Sequence, residues 1–329
     1  MKAIVYREYG SADVIKLEEV EKPTPGDDEV LVEIKAASVN AYDWHFLSAD
    51  IFLIRLMAGL LKPKNPRLGA DIAGQVEAVG KNVKQIKPGD EVFGEIGAYG
   101  NGAFAEYVSV PEKALTLKPV NLTFEQAAAV PMAALTALQA LRDAGKLQPG
   151  QKVLINGASG GVGTFAVQFA RLFGADVTAV CSARNLEQAR ALGADHVIDY
   201  AQEDFTQSGE RYDLILAVNG YHPISAYKRA LTPKGIYVMA GGSMAQIFQA
   251  MLLGKWMSAK GGRQMGGVTA RIDPKDMLFL KELLEAGKIV PVIDRRYPLS
   301  DAAEALRYLG EGHARGKVVI TMEHDNKTP

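Results

Sequence analysis

The stretch Val153-Leu154-Ile155-Asn156-Gly157-Ala158-Ser159-Gly160-Gly161-Val162-Gly163 sets the fold. A short apolar run enters a glycine-rich turn, and beyond it Phe165, Ala166, Phe169 and Leu172 fall on one helical side. A turn of this composition between strand and helix lets the backbone approach a pyrophosphate, whose charge then sits at the helix N-terminus. Gly160, Gly161, Val162 and Gly163 are therefore candidate pyrophosphate contacts, with Gly163 also expected to permit close helix-on-strand packing. An ordinary tight turn between strand and helix is the plainer alternative.

The next strand bears on which dinucleotide is bound. NAD-binding folds place a carboxylate about 20 residues on, to bond the ribose 2′-hydroxyl. Here the stretch reads Val180-Cys181-Ser182-Ala183-Arg184-Asn185, without an acid. Arg184 can pair with a 2′-phosphate and Ser182 can hydrogen-bond it, which favours NADPH over NADH.

Outward from this loop, strand-like runs alternate with helical ones. Lys152 to Asn156, Asp176 to Cys181, His196 to Tyr200, Leu214 to Val218 and Ile236 to Ala240 are expected strands. Helices are expected from near Gly163, Asn185, Ile224 and Ala245. The alternation predicts an α/β fold with a doubly wound parallel sheet over about residues 121–267, entered through a capping box, Thr123-Phe124-Glu125-Gln126. Residues 1–120 read instead as β-rich. Val30, Val32 and Ile34 alternate with Leu31, Glu33 and Lys35, and turns such as Lys87-Pro88-Gly89-Asp90 punctuate the chain. The tail, 268–329, holds a helix from Pro274, a run at Ile289 to Ile293, a helix near Asp301 and a last strand from Lys317.

Composition removes other classes. The 329 residues carry 37 basic and 38 acidic side chains, so nothing advertises a nucleic-acid partner. The single cysteine excludes an intramolecular disulfide and every zinc site needing two thiolates. The N-terminus meets charge too early for a secretory signal, and a cytoplasmic, reducing location is expected. The apolar runs Ile51 to Leu61 and Ile247 to Trp256 are too short to span a bilayer, which takes roughly 20 residues. Burial within the protein is expected for both, with a pocket wall or a membrane surface as the other readings.

Taken in order, several further motifs resemble the medium-chain dehydrogenase/reductase superfamily, in its zinc-independent quinone oxidoreductase branch of zeta-crystallin-like and chloroplast-envelope-type enzymes. They are Ser38-Val39-Asn40-Ala41-Tyr42-Asp43-Trp44, Leu68-Gly69-Ala70-Asp71-Ile72-Ala73-Gly74, Gly89-Asp90-Glu91-Val92-Phe93-Gly94, Gly102-Ala103-Phe104-Ala105-Glu106-Tyr107, Ala133-Ala134-Leu135-Thr136-Ala137 and Ala314-Arg315-Gly316-Lys317-Val318-Val319. The resemblance implies a GroES-like β-barrel catalytic domain built from both chain ends around an inserted Rossmann domain, and a homodimer. It places Thr136, Gly241 and Gly242 near the nicotinamide, Tyr200 with Ser182 and Arg184 at the 2′-phosphate, and Lys317 toward the cofactor. Relatives often carry Asp-x-x-Gly where this chain reads Ala217-Val218-Asn219-Gly220, so Asn219 becomes the candidate ribose contact. Zinc members have cysteine at the place of Asn40 and Gly-His-Glu at the place of Gly69-Ala70-Asp71. With those ligands replaced no metal is expected, since His45 and Asp71 lack a third partner.

Without a metal, the chemistry rests on positioning a hydride donor beside an electron-poor acceptor. Small hydrophobic quinones or α,β-unsaturated carbonyls suit this, because conjugation spreads the incoming charge. Asn40 is a candidate oxyanion donor, and Tyr42 or His45 a candidate proton donor. Each has a plainer reading, Tyr42 as a satisfied core residue, His45 as helix packing and Asp43 as an N-cap. Two other functions remain open, an alcohol or aldehyde reductase of the same superfamily and a non-enzymatic NADPH- or RNA-binding protein.

Overall fold

Eleven residues from Glu29 to Val39 form the longest strand, and the first unit is built on it. This computed structural model describes residues 1–220, 222–241 and 262–322. The first unit comprises Met1–Met132, Ile272–Gly287 and the chain from Pro291 onward, and the second Ala133–Arg271 with Lys288–Val290. The division falls at Met132 rather than near residue 120. The intervening segment is tied to the first unit, where Asn121 Nδ2 donates to the Leu284 carbonyl at 3.0 Å. The capping box at Thr123 is present, opening helix Phe124–Ala128 against the long strand.

In the first unit β1 (Lys2–Tyr6) pairs β2 (Ile15–Glu19). A larger sheet holds β3 (Glu29–Val39), β4 (Asp71–Val79), β5 (Glu91–Glu95), β6 (Tyr107–Pro111), β7 (Leu115–Leu117), and from the tail β14 (Ile293–Pro298) and β15 (Lys317–Thr321). Its order is β14-β15-β3-β4-β5-β7, with β6 alongside the first half of β3. Val30, Val32 and Ile34 point into one apolar cluster with Ile72, Val76, Val92 and Phe104, as their alternation requires. Leu31 is buried too, so the alternation is less clean than its polar neighbours Glu33 and Lys35 suggest.

The second unit carries a parallel sheet of β8 (Lys152–Asn156), β9 (Asp176–Cys181), β10 (His196–Asp199), β11 (Tyr212–Ala217), β12 (Leu231–Met239) and β13 (Gln264–Gly267). The order β10-β9-β8-β11-β12-β13 reverses direction between β8 and β11, which is the doubly wound arrangement with its ligand crevice at that reversal. Helix Gly161–Leu172 follows β8 and buries Phe165, Ala166 and Phe169.

One expected strand starts early. β12 begins at Leu231, five residues before Ile236. In the run from Ile289 the strand begins only at Ile293, and Gln168 on the helix after β8 holds Val290, donating to its carbonyl at 3.0 Å and accepting from its N–H at 2.8 Å. The segment Ile51 to Leu61 is also corrected. It forms a short helix, Phe52–Ala58, and a following turn, and Phe52, Leu56, Met57, Leu60 and Leu61 are exposed instead of buried. The other apolar run, Ile247 to Trp256, and the helix expected near Ala245 lie outside the described residues. Among the described residues no helix is long and apolar enough to cross a membrane.

Candidate functional site

Polar side chains at inward positions of an otherwise apolar sheet mark one centre. Ser38, Asp71 and Glu95 stand directly opposite one another across β3, β4 and β5, and all three are buried. Asn40 follows β3 and caps helix Ala41–Ser48, while Lys317 opens β15. Their partners interlock. Asn40 Nδ2 donates to Asp71 Oδ2 at 2.9 Å and makes a longer contact to the Ser38 carbonyl at 3.4 Å. Ser38 Oγ donates to the same carboxylate oxygen at 3.0 Å, and the Met132 N–H donates to Asp71 Oδ1 at 3.0 Å. The buried ammonium of Lys317 donates to Asn40 Oδ1 and lies 3.6 Å from Asp71 Oδ2. Lys317 and Asn40 thus both engage Asp71, and Asn40 and Asp71 stand where the resemblance places zinc ligands in other members of the superfamily.

Asp43 is not the N-cap, which is Asn40, but the third residue of the helix. Its carboxylate accepts the Asn40 N–H at 2.8 Å and the Gly69 N–H at 3.1 Å, tying the start of the helix to the loop before β4. The charges are unbalanced, three buried carboxylates facing one ammonium. Burial, with neighbouring Asp71, pushes Asp43 up to about 7 even against its two N–H donors. Burial and the charges of Asp71 and Asp43 push Glu95 up to about 8. Burial raises Asp71 while Lys317 opposes that shift, and burial lowers Lys317.

The folded protein consequently keeps protons that the unfolded chain releases near the ordinary carboxylate range. Stability from this source is full below about pH 4 and is lost as pH rises through about 7 to 8. The melting temperature is expected to fall between pH 6 and about 8.5, and Glu95→Gln, which keeps the acceptor for Gly97 N–H, should flatten that fall. An unchanged pH slope in Glu95→Gln would show that Glu95 is ionised throughout.

The catalytic candidates separate. Tyr42 is half-buried beside Phe46, with ring centroids 4.4 Å apart, and its hydroxyl donates to Asn101 Oδ1 at 3.2 Å. Burial, then the nearby Asp43 charge, raises its phenol well above the usual range, so it remains a proton-bearing donor. His45 is tied at the surface to Asp50, 2.9 Å from Nδ1 to Oδ1. Asn40 spends its amide on the Asp71 network. Glu95 and Ser38 were not singled out from sequence, although polar residues beginning or ending otherwise apolar strands were the available signal.

The cofactor candidates gather at the carboxyl ends of the parallel strands. Gly157 holds φ +87°, and a Cβ on Gly163 would stand 2.1 Å from the Gly157 carbonyl oxygen, so Gly163 lets the helix start directly against the turn that leaves β8. A Cβ on Gly160, by contrast, would meet only that carbonyl, at 3.8 Å, leaving the outer side of the turn open to a pyrophosphate at the helix N-terminus with Gly161 and Val162. Ser182 and Arg184 follow β9, and Tyr200 follows β10, the adjacent strand. Asn185 Nδ2 donates to Ser182 Oγ at 3.1 Å, and the Tyr200 N–H donates to the Cys181 carbonyl. Asn219 lies past β11, its side chain accepting the Gly220 N–H at 2.8 Å, and Gly241 lies past β12 against the Val218 carbonyl. Thr136 is half-buried on helix Pro131–Gln139. Gly242 lies outside the described residues. The turn and the two strand ends lie at the carboxyl end of the parallel sheet, where this fold holds a nicotinamide dinucleotide. Lys317, expected at the cofactor, is engaged by Asn40 and Asp71 in the first unit. Among the described residues no three His, Cys, Asp or Glu side chains are placed to hold a metal, and Cys181 is buried in β9.

Comparison with known proteins agrees with both units. Residues 26–120 match the alcohol dehydrogenase GroES-like domain and residues 192–320 match the zinc-binding dehydrogenase family. A chloroplastic quinone oxidoreductase of Triphysaria versicolor is 34% identical over 97% of this chain and 98% of its own length. A chloroplastic NADPH-dependent alkenal/one oxidoreductase of Arabidopsis thaliana is 34% identical over 97% of this chain and 79% of its own. The structure of the quinone oxidoreductase from Coxiella burnetii superposes with a TM-score of 0.87 at 30% identity, covering 98% of this chain and 99% of that one. With a GroES-like unit, a Rossmann sheet and relatives aligned along nearly its whole length, this oxidoreductase belongs to the quinone oxidoreductase branch of the medium-chain dehydrogenase/reductase superfamily.

Proposed function

We propose that the protein is an NADPH-dependent reductase of quinones and α,β-unsaturated carbonyls. The observation that carries the reading is the buried Lys317–Asn40–Asp71 network, in which an amide and a carboxylate engaged by an ammonium occupy the two positions that the resemblance gives to zinc ligands. Bound NADPH supplies the hydride. The Gly160–Gly163 turn seats its pyrophosphate, Arg184 and Ser182 receive the 2′-phosphate, Tyr200 borders that pocket, and Asn219, Gly241 and Thr136 face the nicotinamide half. Conjugation carries the electron pair to the acceptor oxygen, so no strong electrophile is needed. Tyr42, whose phenol burial keeps protonated, is the assigned hydrogen-bond donor to the developing oxyanion, with water able to supply the proton, while His45 is tied to Asp50.

NADPH consumption with quinones, alkenals, enones and simple aldehydes tests the reading. Quinones and enones should turn over and simple aldehydes should lag far behind. Equal rates with simple aldehydes, or none with any quinone or enone, would overturn it. Arg184→Ala should raise KM for NADPH about 10- to 100-fold, the worth of charge-assisted hydrogen bonds to a phosphate, and leave NADH use nearly unchanged. Equal losses for both cofactors would remove Arg184 from the 2′-phosphate.

A further inference from the structure

The segment after helix Ala41–Ser48 presents the densest exposed apolar surface among the described residues. Phe52, Leu56, Met57, Leu60 and Leu61 are 64%, 57%, 68%, 56% and 88% exposed, five large apolar side chains within ten residues. Phe52 and Leu56 stand one helical turn apart on one side of helix Phe52–Ala58, with Met57 adjoining. Single exposed leucines are ordinary, but a contiguous group of this kind marks a contact surface.

The segment is also held firmly. Tyr9 OH donates to the Gly59 carbonyl at 2.6 Å, and the Arg55 guanidinium lies over the Tyr9 ring at 5.1 Å while its Nε donates to the Ala49 carbonyl. The Lys64 N–H closes the turn on the Ala58 carbonyl at 2.7 Å, and Pro63 is buried beneath it. The apolar side chains therefore stand out from an anchored base.

Within the segment the charge has one sign. From Ile51 to Ala70 the chain has Arg55, Lys62, Lys64 and Arg67 and no Asp or Glu, within a protein whose net charge is −1. Lys62, Lys64 and Arg67 are exposed, and neither lysine makes an ion pair among the described residues. Apolar side chains rimmed by unpaired cations match an anionic lipid surface, where the apolar groups enter the acyl boundary and the cations meet phosphate headgroups. A helix packed against another protein core would gain nothing from that rim.

We propose that residues 52–64 form a docking face for anionic membrane surfaces, with Phe52, Leu56, Met57, Leu60 and Leu61 inserting and Lys62 and Lys64 contacting lipid phosphates. The binding stands independently of the catalytic reading. Only its use, drawing lipid-dissolved quinones from the bilayer, rests on the proposed function.

The test is co-sedimentation of the full chain with vesicles of phosphatidylcholine alone and of phosphatidylcholine with about 30% phosphatidylserine, at low and high salt. The protein should bind the mixed vesicles, bind pure phosphatidylcholine poorly, and be released by salt. Leu56→Glu/Leu61→Glu and Lys62→Glu/Lys64→Glu should each weaken binding at least about tenfold while retaining the wild-type melting temperature and NADPH affinity. Absence of binding to anionic vesicles, or binding unchanged in both variants, overturns the proposal. So does a wild-type oligomer that Leu61→Glu dissolves without any vesicle effect, which would make the face a contact between copies. A raised KM for a water-soluble enone in Leu61→Glu with undiminished vesicle binding would likewise assign the segment to the substrate pocket. Quinone turnover read in the same variants separates failure of docking from failure of the catalytic assignment.

Discussion

Lys317→Met should destabilise the first unit by about 3–5 kcal/mol in denaturant titration at neutral pH, the usual cost of leaving a buried charge without its partner. Lys317 and Asp71 are both buried, and the ammonium is the only cation among the described residues that reaches this carboxylate. Removing it also strips Asn40 Oδ1 of its donor, so the amide that holds Asp71 loses its fixed orientation. Asp71 would then have to bind a proton to remain inside. The double variant Lys317→Met/Asp71→Asn removes both charges and should recover most of the lost stability. Activity should not recover with it, because the ammonium itself would still be missing. If the single variant proves as stable as the parent, Asp71 is neutral in the folded protein and the network is held by hydrogen bonds alone.

Gly163→Ala should weaken NADPH binding at least about a hundredfold and lower stability by about 1–3 kcal/mol. Its Cβ would stand 2.1 Å from the Gly157 carbonyl oxygen and 2.7 Å from the Ala158 carbonyl carbon, both backbone atoms that no rotamer can clear. The loop must therefore shift. That loop is itself pinned, since the N–H groups of Gly157 and Ala158 both donate to the Val180 carbonyl at 3.1 Å. Displacing it moves the open side of the turn away from the helix N-terminus, where the pyrophosphate charge is stabilised. Gly160→Ala is the control, because its Cβ meets protein only at 3.8 Å. Stability should change little there, and any loss of NADPH affinity reports contact with the cofactor. Equal NADPH affinity in Gly163→Ala and the parent would separate this loop from cofactor binding.

The parallel sheet was legible because glycine spacing, strand length and helix periodicity all pointed to one structure between Lys152 and Leu172. The Ser38-to-Lys317 centre was only partly legible. Asn40, Asp71 and Lys317 stood in recognisable motifs, yet nothing local to any of them tells that an amide 277 positions away completes the lysine's contacts. Glu95 escaped because a carboxylate following Val92, Phe93 and Gly94 looks like a strand end meeting water. Only cross-strand pairing with Asp71 reveals that it faces inward. The run from Ile51 was misjudged for a different reason. Apolar periodicity reports that one side of a helix avoids water in the assembled state, but not whether the covering surface is the protein's own. His45 shows a further limit, since a residue five positions beyond Asn40 is engaged by Asp50 outside the cluster.

The first unit draws β14 and β15 from the last 40 residues of the chain, with β15 seated between β14 and β3. This imposes a schedule on synthesis. The second unit is nearly contiguous, Ala133–Arg271 plus a three-residue clip, and most of it can fold as it leaves the ribosome. The first unit is made first yet finishes last, because the Ala36–Val39 half of one β3 edge waits unpaired and Asp71 waits without its lysine until residue 317 emerges. Throughout translation of the insert, that edge and that acid need shelter from neighbouring chains, which makes nascent-chain length a determinant of how much protein reaches the native state.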